Sequence, residues 1–337
     1  MLNMLDRSYQ GPATWRSVDM AKSDNWIYRL SAAQIEELDV ALAFVKTQGL
    51  TIPDITRGSF PLTNFAVQIA EILGELETGR GFVLIRGLPI ERYSEEDASI
   101  IFWGIGTYLG RPIAQNANGD LLGHVRDQGR DWEDDKSARG YQTTSDLPFH
   151  NDSGDVVGLL CFKPAKSGGL SCIVSSAAIH NEILARRPDL SKILFEPFYV
   201  DARGEEPDGE APYYCVPRFN YHGGRLYTQY GRVYVESAQR FTGVPRLTPE
   251  QVAALDLFDE VANSDDLRFD MDFQPGDMQF LSNHAVLHAR TDYEDHESFD
   301  NKRHLLRLWL FTPGFADRPP AFARRYADIV AWRANPR

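Results

Sequence analysis

Along this chain apolar residues recur first at helical spacing and later at strand spacing. Ser31-Ala-Ala-Gln34 forms a capping box ahead of a periodic stretch that ends near Gly49, which predicts a helix. A second helix is predicted from about Asn64 to Glu77, with Phe65, Ile69, Ile72, Leu73 and Leu76 on one face. The first 80 residues therefore read as helical. Gly81-Phe-Val-Leu-Ile-Arg-Gly87 is instead a short apolar run between glycines, the mark of a buried strand. Ser94-Glu-Glu-Asp97 caps a further helix that reaches Leu109 and stops at Gly110.

From about Gly123 to Ser175 the pattern turns to short strands and turns. Helical spacing returns at Ser176 to Arg187, and again after Thr248-Pro-Glu-Gln251, a capping box with proline at the first helical position. Between them, Tyr213 to Glu236 is rich in Tyr, Val and Phe, with Gly223-Gly224 as a hairpin signal. The last predicted strands run from Met278 to Leu281, Ala285 to Arg290 and His304 to Phe311. Pro275-Gly276-Asp277 turns the chain into the first of them.

Strands thus fall in two blocks, about 82–175 and 213–312, with helices before them and a helical insert over about 176–265. Blocks of one element type predict an α+β fold rather than alternating βαβ units. The expected architecture is a double-stranded β-helix (jelly roll) core with N-terminal and inserted helices, carried by one domain over 1–337. Asp201 to Pro212, acidic and rich in Gly and Pro, reads as a surface loop, with a mobile lid as the alternative.

Composition narrows the function. The chain has 337 residues, 43% of them hydrophobic and 25% charged, ordinary values for a globular core. The 48 acidic against 35 basic residues give a formal charge of −13, which argues against a nucleic-acid partner and against docking on anionic membranes. Cys161, Cys172 and Cys215 make no CxxC or paired framework, which fits a reducing compartment and buried thiols. No stretch has the length of a signal-peptide core or a membrane span, so the expected location is cytoplasmic. A homo-oligomer is compatible with all of this, but nothing in the pattern selects one.

Iron that activates O₂ in non-haem enzymes is held by two His and one carboxylate on one face. The local mark is His-x-Asp/Glu, because on an extended backbone residues i and i+2 point to the same side. With 8 His in the chain, roughly one such match is expected by chance. Two occur, His150-Asn-Asp152 and His180-Asn-Glu182. The second sits in Ser176-Ala-Ala-Ile-His-Asn-Glu-Ile-Leu, a helical stretch, where i and i+2 lie about 200° apart and cannot share an ion. His180 therefore reads as a surface or half-buried helical residue. His150 follows Leu147-Pro-Phe149 and precedes Ser153-Gly154, a strand running into a turn, where both side chains can converge. A second histidine must come from elsewhere. His284 and His288 share the stretch Phe280 to Arg290, and spacing does not choose between them.

The ordered pieces Phe149-His-Asn-Asp152, Ser167-Gly-Gly-Leu-Ser171, Pro275-Gly-Asp277, Asn283-His-Ala-Val-Leu-His-Ala-Arg290 and Arg303-His-Leu-Leu-Arg-Leu-Trp309 are together specific. Over about Gly81 to Phe311 the chain resembles the taurine dioxygenase (TauD/TfdA-type) family of iron(II)/2-oxoglutarate oxygenases. The resemblance implies a metal held by His150, Asp152 and His288, with His284 demoted to a neighbour. It implies that Arg307 binds the distal carboxylate of 2-oxoglutarate, for which a guanidinium fork is suited. Ser171 stands where the family usually has threonine, whose hydroxyl holds the same carboxylate. Arg290 is a candidate near the cosubstrate, with an ion pair to Asp292 as the alternative.

The implied reaction is oxidation of a substrate C–H bond by O₂, with 2-oxoglutarate decarboxylated to succinate and CO₂. Asp152 adds to this, since related halogenases lack the carboxylate, so hydroxylation is expected. The implied substrate is a small molecule. Gln115, Asn116, Arg126 and Tyr141 lie where the family places substrate contacts, and Arg126 would suit a carboxylate-bearing one. The rival readings are a metal hydrolase or isomerase on a cupin-like barrel, and a non-catalytic barrel protein. Arg307 has no task in the former, and the full ligand set argues against the latter.

Overall fold

The computed structural model describes residues 4–116, 118–129, 140–204, 206 and 209–322, with the side chain of Tyr141 excepted. Two sheets face each other. The larger has seven strands, ordered Ile27–Arg29, Phe82–Arg86, Met278–Ser282, Val156–Lys163, His304–Phe311 and Arg111–Pro112, with Leu122–Val125 also paired to His304–Phe311. The smaller has four, ordered Phe269–Met271, Ser171–Ser175, Val286–Arg290 and Leu147–His150. Neighbours within each sheet are antiparallel, apart from the parallel edge pair Ile27–Arg29 with Phe82–Arg86. This is the expected jelly roll, with the two sheets not closed into a barrel.

Three apolar clusters follow from the period-two alternation of strands. Leu306, Leu308 and Leu310 of His304–Phe311 pack outward against the helices Ala32–Thr47, Phe65–Glu77 and Glu95–Leu109. Leu305 and Trp309 face inward, with Val157, Cys161, Ile173, Leu281 and Val286 between the sheets. Arg307, between them in the sequence, shares this inward face. The outer face of the smaller sheet is covered by Ser176–Arg186 and Pro249–Ala262, through Val174, Ile179, Ile183, Leu255 and Phe258. Both expected capping boxes form, Ser31 with Gln34 and Thr248 with Gln251.

The structure departs from expectation in four places. The N-terminal region holds a short strand, Ile27–Arg29, because the sheet edge at Phe82–Arg86 offers it hydrogen bonds that local pattern cannot reveal. The Tyr-rich stretch adds nothing to the two main sheets: Tyr213–Pro217 pairs with Pro197–Asp201, Phe219–His222 with Arg225–Thr228, and Arg232–Ala238 is a helix. Asp201 is not a loop residue but the buried end of a strand, ion-paired with Arg240 at 3.0 Å. His180 is fully buried, between the edges of Phe195 and Phe219, with Nε2 3.2 Å from the Leu5 carbonyl oxygen. None of the described helices is long and apolar enough to cross a membrane.

Candidate metal centre

His150 ends the strand Leu147–His150, and the antiparallel register sets it opposite His288 of Val286–Arg290. Opposed residues share a sheet face, so the imidazoles meet, with ring centroids 4.3 Å apart. Asp152, two residues on, comes back to the same side. Its Oδ1 is 3.9 Å from His150 Nε2, and its Oδ2 is 3.7 Å from His288 Nε2. One ligand atom from each residue lies within 4.8 Å of the others, a spread that an ion bonded at about 2 Å can draw together.

The protonation states suit a metal. His150 Nδ1 is 2.9 Å from the Pro148 carbonyl oxygen, which can only accept, so Nδ1 carries a proton and Nε2 is the nitrogen turned toward Asp152. Burial, and after it the charge of His150, pushes His288 down to about 3 against the pull of Asp152, which keeps it neutral. Burial acts to raise the Asp152 carboxyl, but Arg307, His288, His150 and the Trp309 N–H outweigh it and leave it below the usual range. Two imidazoles and one carboxylate on one face are the donor set of open non-haem iron sites.

Two asparagines hold this segment in place, and the sequence reading missed both. Asn151 donates to the Val286 carbonyl at 3.0 Å and accepts from Tyr230 N at 2.9 Å. Asn283 accepts from Asp152 N at 3.2 Å and donates to the Gly154 carbonyl at 2.9 Å. Their adjacency to the histidine motifs was the available signal. His284 faces elsewhere: its Nε2 is 2.9 Å from Asp155 Oδ1, and Asp155 also takes the Arg318 guanidinium and Thr312 N.

Arg307 borders a cavity of about 420 Å³ that His150, Asp152, Trp309, Gln115 and Asn116 also line. Its Nε donates to Gln115 Oε1 at 2.7 Å, and Gln115 Nε2 donates back to the Arg307 carbonyl at 2.7 Å. Its Nη1 lies 3.7 Å from Asp152 Oδ2. Asn116 uses its side chain to form its own turn, accepting from Asn118 N and Asp120 N.

Ser171, Arg290 and Arg303 gather on another side of the inter-sheet space, outside the lining of that cavity. Ser171 is in register with Arg290, and its Oγ donates to Gln279 Oε1 at 3.1 Å. Arg290 donates to the carbonyls of Thr143 and Ser145 and makes no ion pair with Asp292. The guanidinium carbons of Arg290 and Arg303 lie 4.8 and 5.2 Å from the centre of the Tyr293 ring. Gly169, at φ 69°, leaves room for Arg303, whose Nε would stand 3.1 Å from a Cβ there. Both arginines are buried, and among the described residues neither has an ion-pair partner and Arg290 Nε and Arg303 Nη1 have no hydrogen-bond partner. Burial, then the charge of Arg303, pulls Arg290 down to about 10, and burial lowers Arg303 as well. Two buried cations without a carboxylate await an anion. Arg303 was missed by the sequence reading, although it stands one residue before the strand His304–Phe311 and four before Arg307, a spacing that puts both on one face of an extended backbone.

Of the four expected substrate contacts, Gln115 and Asn116 reach the cavity. Arg126 does not: it lies over the Phe299 ring, with Nη2 3.1 Å from His304 Nδ1. Alternation is the reason, since Val125 faces the inter-sheet core and its neighbours face away. Tyr141, as a side chain, lies outside the described residues. A second group of metal-type ligands, Glu95, His124 and His304, stands beside Arg126. Arg126 can only donate, so His304 Nδ1 is bare, and its Nε2–H donates to His124 Nδ1 at 2.9 Å. The Arg126 guanidinium thus occupies His304 Nδ1.

The family model described as taurine catabolism dioxygenase TauD, TfdA family matches residues 48–309. FR-33289 synthase from Streptomyces rubellomurinus is 34% identical over 313 residues, covering 92% of each chain. The taurine hydroxylase-like protein SAT17 of Stachybotrys chartarum is 30% identical over 322 residues, covering 90% of this chain and 81% of that one. Among solved structures, an asparagine oxygenase in complex with Fe(II), hydroxyasparagine and succinate superposes with a TM-score of 0.67 at 16% identity, over 88% of this chain and 98% of the other. The non-haem iron oxygenase OrfP with Fe and alpha-ketoglutaric acid gives 0.61 at 16% identity, over 85% and 94%.

Proposed function

This chain belongs to the taurine catabolism dioxygenase (TauD, TfdA) family, and on that footing we propose that His150, Asp152 and His288 hold its iron for hydroxylation of a small acid-bearing substrate. It is an iron(II)- and 2-oxoglutarate-dependent oxygenase, which couples C–H oxidation by O₂ to decarboxylation of 2-oxoglutarate to succinate. The observation that carries the residue assignment is the convergence of the two Nε2 atoms and the Asp152 carboxylate within 4.8 Å at the edge of the 420 Å³ cavity. When bound, the iron supplies O₂ activation and a seat for the 2-oxo acid end of the cosubstrate.

The chain's own residues do the rest. Arg303 takes the distal carboxylate of 2-oxoglutarate, helped by the Ser171 hydroxyl, with Arg290 adding positive charge from the neighbouring strand. This revises the expectation that gave the task to Arg307. A guanidinium 3.7 Å from the Asp152 carboxylate would stand beside the metal-bound end of the cosubstrate rather than its far end. Beside Ser171, Arg290 Nε and Arg303 Nη1 are buried with no hydrogen-bond partner among the described residues. Arg307, held by Gln115, faces the cavity and meets the acid group of the substrate. Gln115 and Asn116 add polar contacts. One domain over 1–337 carries the site, and the enzyme works in the cytoplasm.

Purified protein with iron(II), ascorbate and 2-oxoglutarate is expected to form succinate slowly without substrate, and faster with the right small acid. His150→Ala and Asp152→Ala should each abolish it. Persistent wild-type turnover in either variant refutes the ligand assignment.

A further inference from the structure

We infer that Trp309 is the positioning residue for the metal-binding carboxylate, acting through a hydrogen bond from its indole to Asp152. The inference rests on the reading of His150, Asp152 and His288 as iron ligands. Trp309 is 6% exposed on the inward face of His304–Phe311. An indole has one donor and no acceptor, and a tryptophan this buried needs a partner for it. The partner here is the proposed ligand itself: Nε1 donates to Asp152 Oδ2 at 2.8 Å.

The surroundings fix the indole rather than merely contain it. The Arg307 guanidinium lies over its ring, 4.7 Å from the centroid, and Arg307 is itself clamped by Gln115. At the base of the side chain the backbone comes close at Gly154, where a Cβ would stand 3.2 Å from that of Trp309. Asn283 holds the Asp152 main chain at 3.2 Å. Main chain and carboxylate are therefore pinned separately, the first by Asn283 and the second by Trp309. With Oδ2 tied to the indole, the carboxylate cannot rotate freely, and Oδ1 is the oxygen left facing His150 Nε2 at 3.9 Å. An N–H on a carboxylate also draws charge from it and weakens it as a donor. Orientation outweighs this, because loss of groups that orient metal ligands typically costs ~10–100-fold in affinity.

Trp309→Phe keeps the ring and removes the N–H. Metal-free protein is titrated with Co²⁺ and followed by visible absorption, alone and in the Asp152→Ala background, with thermal unfolding of each metal-free variant alongside. The expected result is Co²⁺ binding weaker by ~10–100-fold with an altered band, a metal-free melting temperature close to wild type, and no further loss when Trp309→Phe is added to Asp152→Ala. Wild-type affinity and spectrum in Trp309→Phe would overturn the inference. So would an equal loss in both backgrounds, which would mean that Trp309 acts on the fold and not through Asp152. Asp152→Ala retaining full Co²⁺ affinity would instead refute the ligand reading, an outcome distinct from either.

Discussion

Arg303→Met separates the two arginine assignments most sharply. The variant keeps most of the stem's volume and removes the guanidinium, so packing is largely retained. Truncating one partner of a buried hydrogen-bonded charge pair costs about 2–5 kcal/mol. Arg290, sharing the Tyr293 ring with Arg303, remains to attract the carboxylate, so the lower half of that range applies. About 2–3 kcal/mol corresponds to a roughly 30- to 150-fold rise in the 2-oxoglutarate needed for half-maximal succinate formation.

The stability effect has the opposite sign. Without cosubstrate, Arg303 and Arg290 are buried, mutually repelling cations, and the charge of Arg303 helps to lower Arg290. Removing one of them should hold or raise the melting temperature of the cosubstrate-free protein. Stabilisation by 2-oxoglutarate should shrink. At a concentration 100-fold above the wild-type Kd the wild type gains about 2.7 kcal/mol, whereas a variant binding 100-fold more weakly gains about 0.4 kcal/mol. Thermal unfolding with and without 2-oxoglutarate, on Co²⁺-loaded protein that does not turn over, reads both effects. Arg307→Met should leave the 2-oxoglutarate requirement alone and raise that for the acidic substrate. The reverse pattern, with a wild-type 2-oxoglutarate requirement in Arg303→Met and the loss in Arg307→Met, refutes the reasoning and returns the distal carboxylate to Arg307.

Two further outcomes are expected. His284→Ala should lower stability by about 2–4 kcal/mol, through the cavity and the lost bond to buried Asp155, while Co²⁺ affinity stays as in wild type; weakened Co²⁺ binding would place His284 in the metal shell. His304 is pushed down to about 3 by burial first and then by Arg126, His124 and Lys163, against an unfolded value of about 6.5. The unfolded chain therefore binds the proton first, so this contribution is complete above about pH 6.5 and falls away toward pH 3, by at most about 1.4 kcal/mol per pH unit. Urea unfolding of wild type and His304→Gln should show curves that converge as the pH falls from about 6.5 to 5, and parallel curves would exclude His304 as the cause.

The local pattern determined the elements that carry their own signals. Capping boxes at Ser31 and Thr248 marked helix starts, and glycines at 81 and 87 bounded the strand Phe82–Arg86. It also separated His150-Asn-Asp152 from His180-Asn-Glu182, because i and i+2 share a side on a strand and not on a helix. What it left open depended on partners distant in sequence. His284 and His288 are equal by spacing, and the antiparallel register that sets His288 opposite His150 is what distinguishes them. Arg303 and Arg307 are likewise equal in residue type and face. They differ because Gln115 and Asp152 come to meet one, and Arg290 and Tyr293 stand beside the other. Arg126 looked like a substrate contact until alternation about Val125 turned it to the opposite face of the sheet. Sequence decides which side chains can ligate or pair, through residue type and backbone period. Which of them do so is decided by register and layer packing, since these bring together residues more than 100 positions apart.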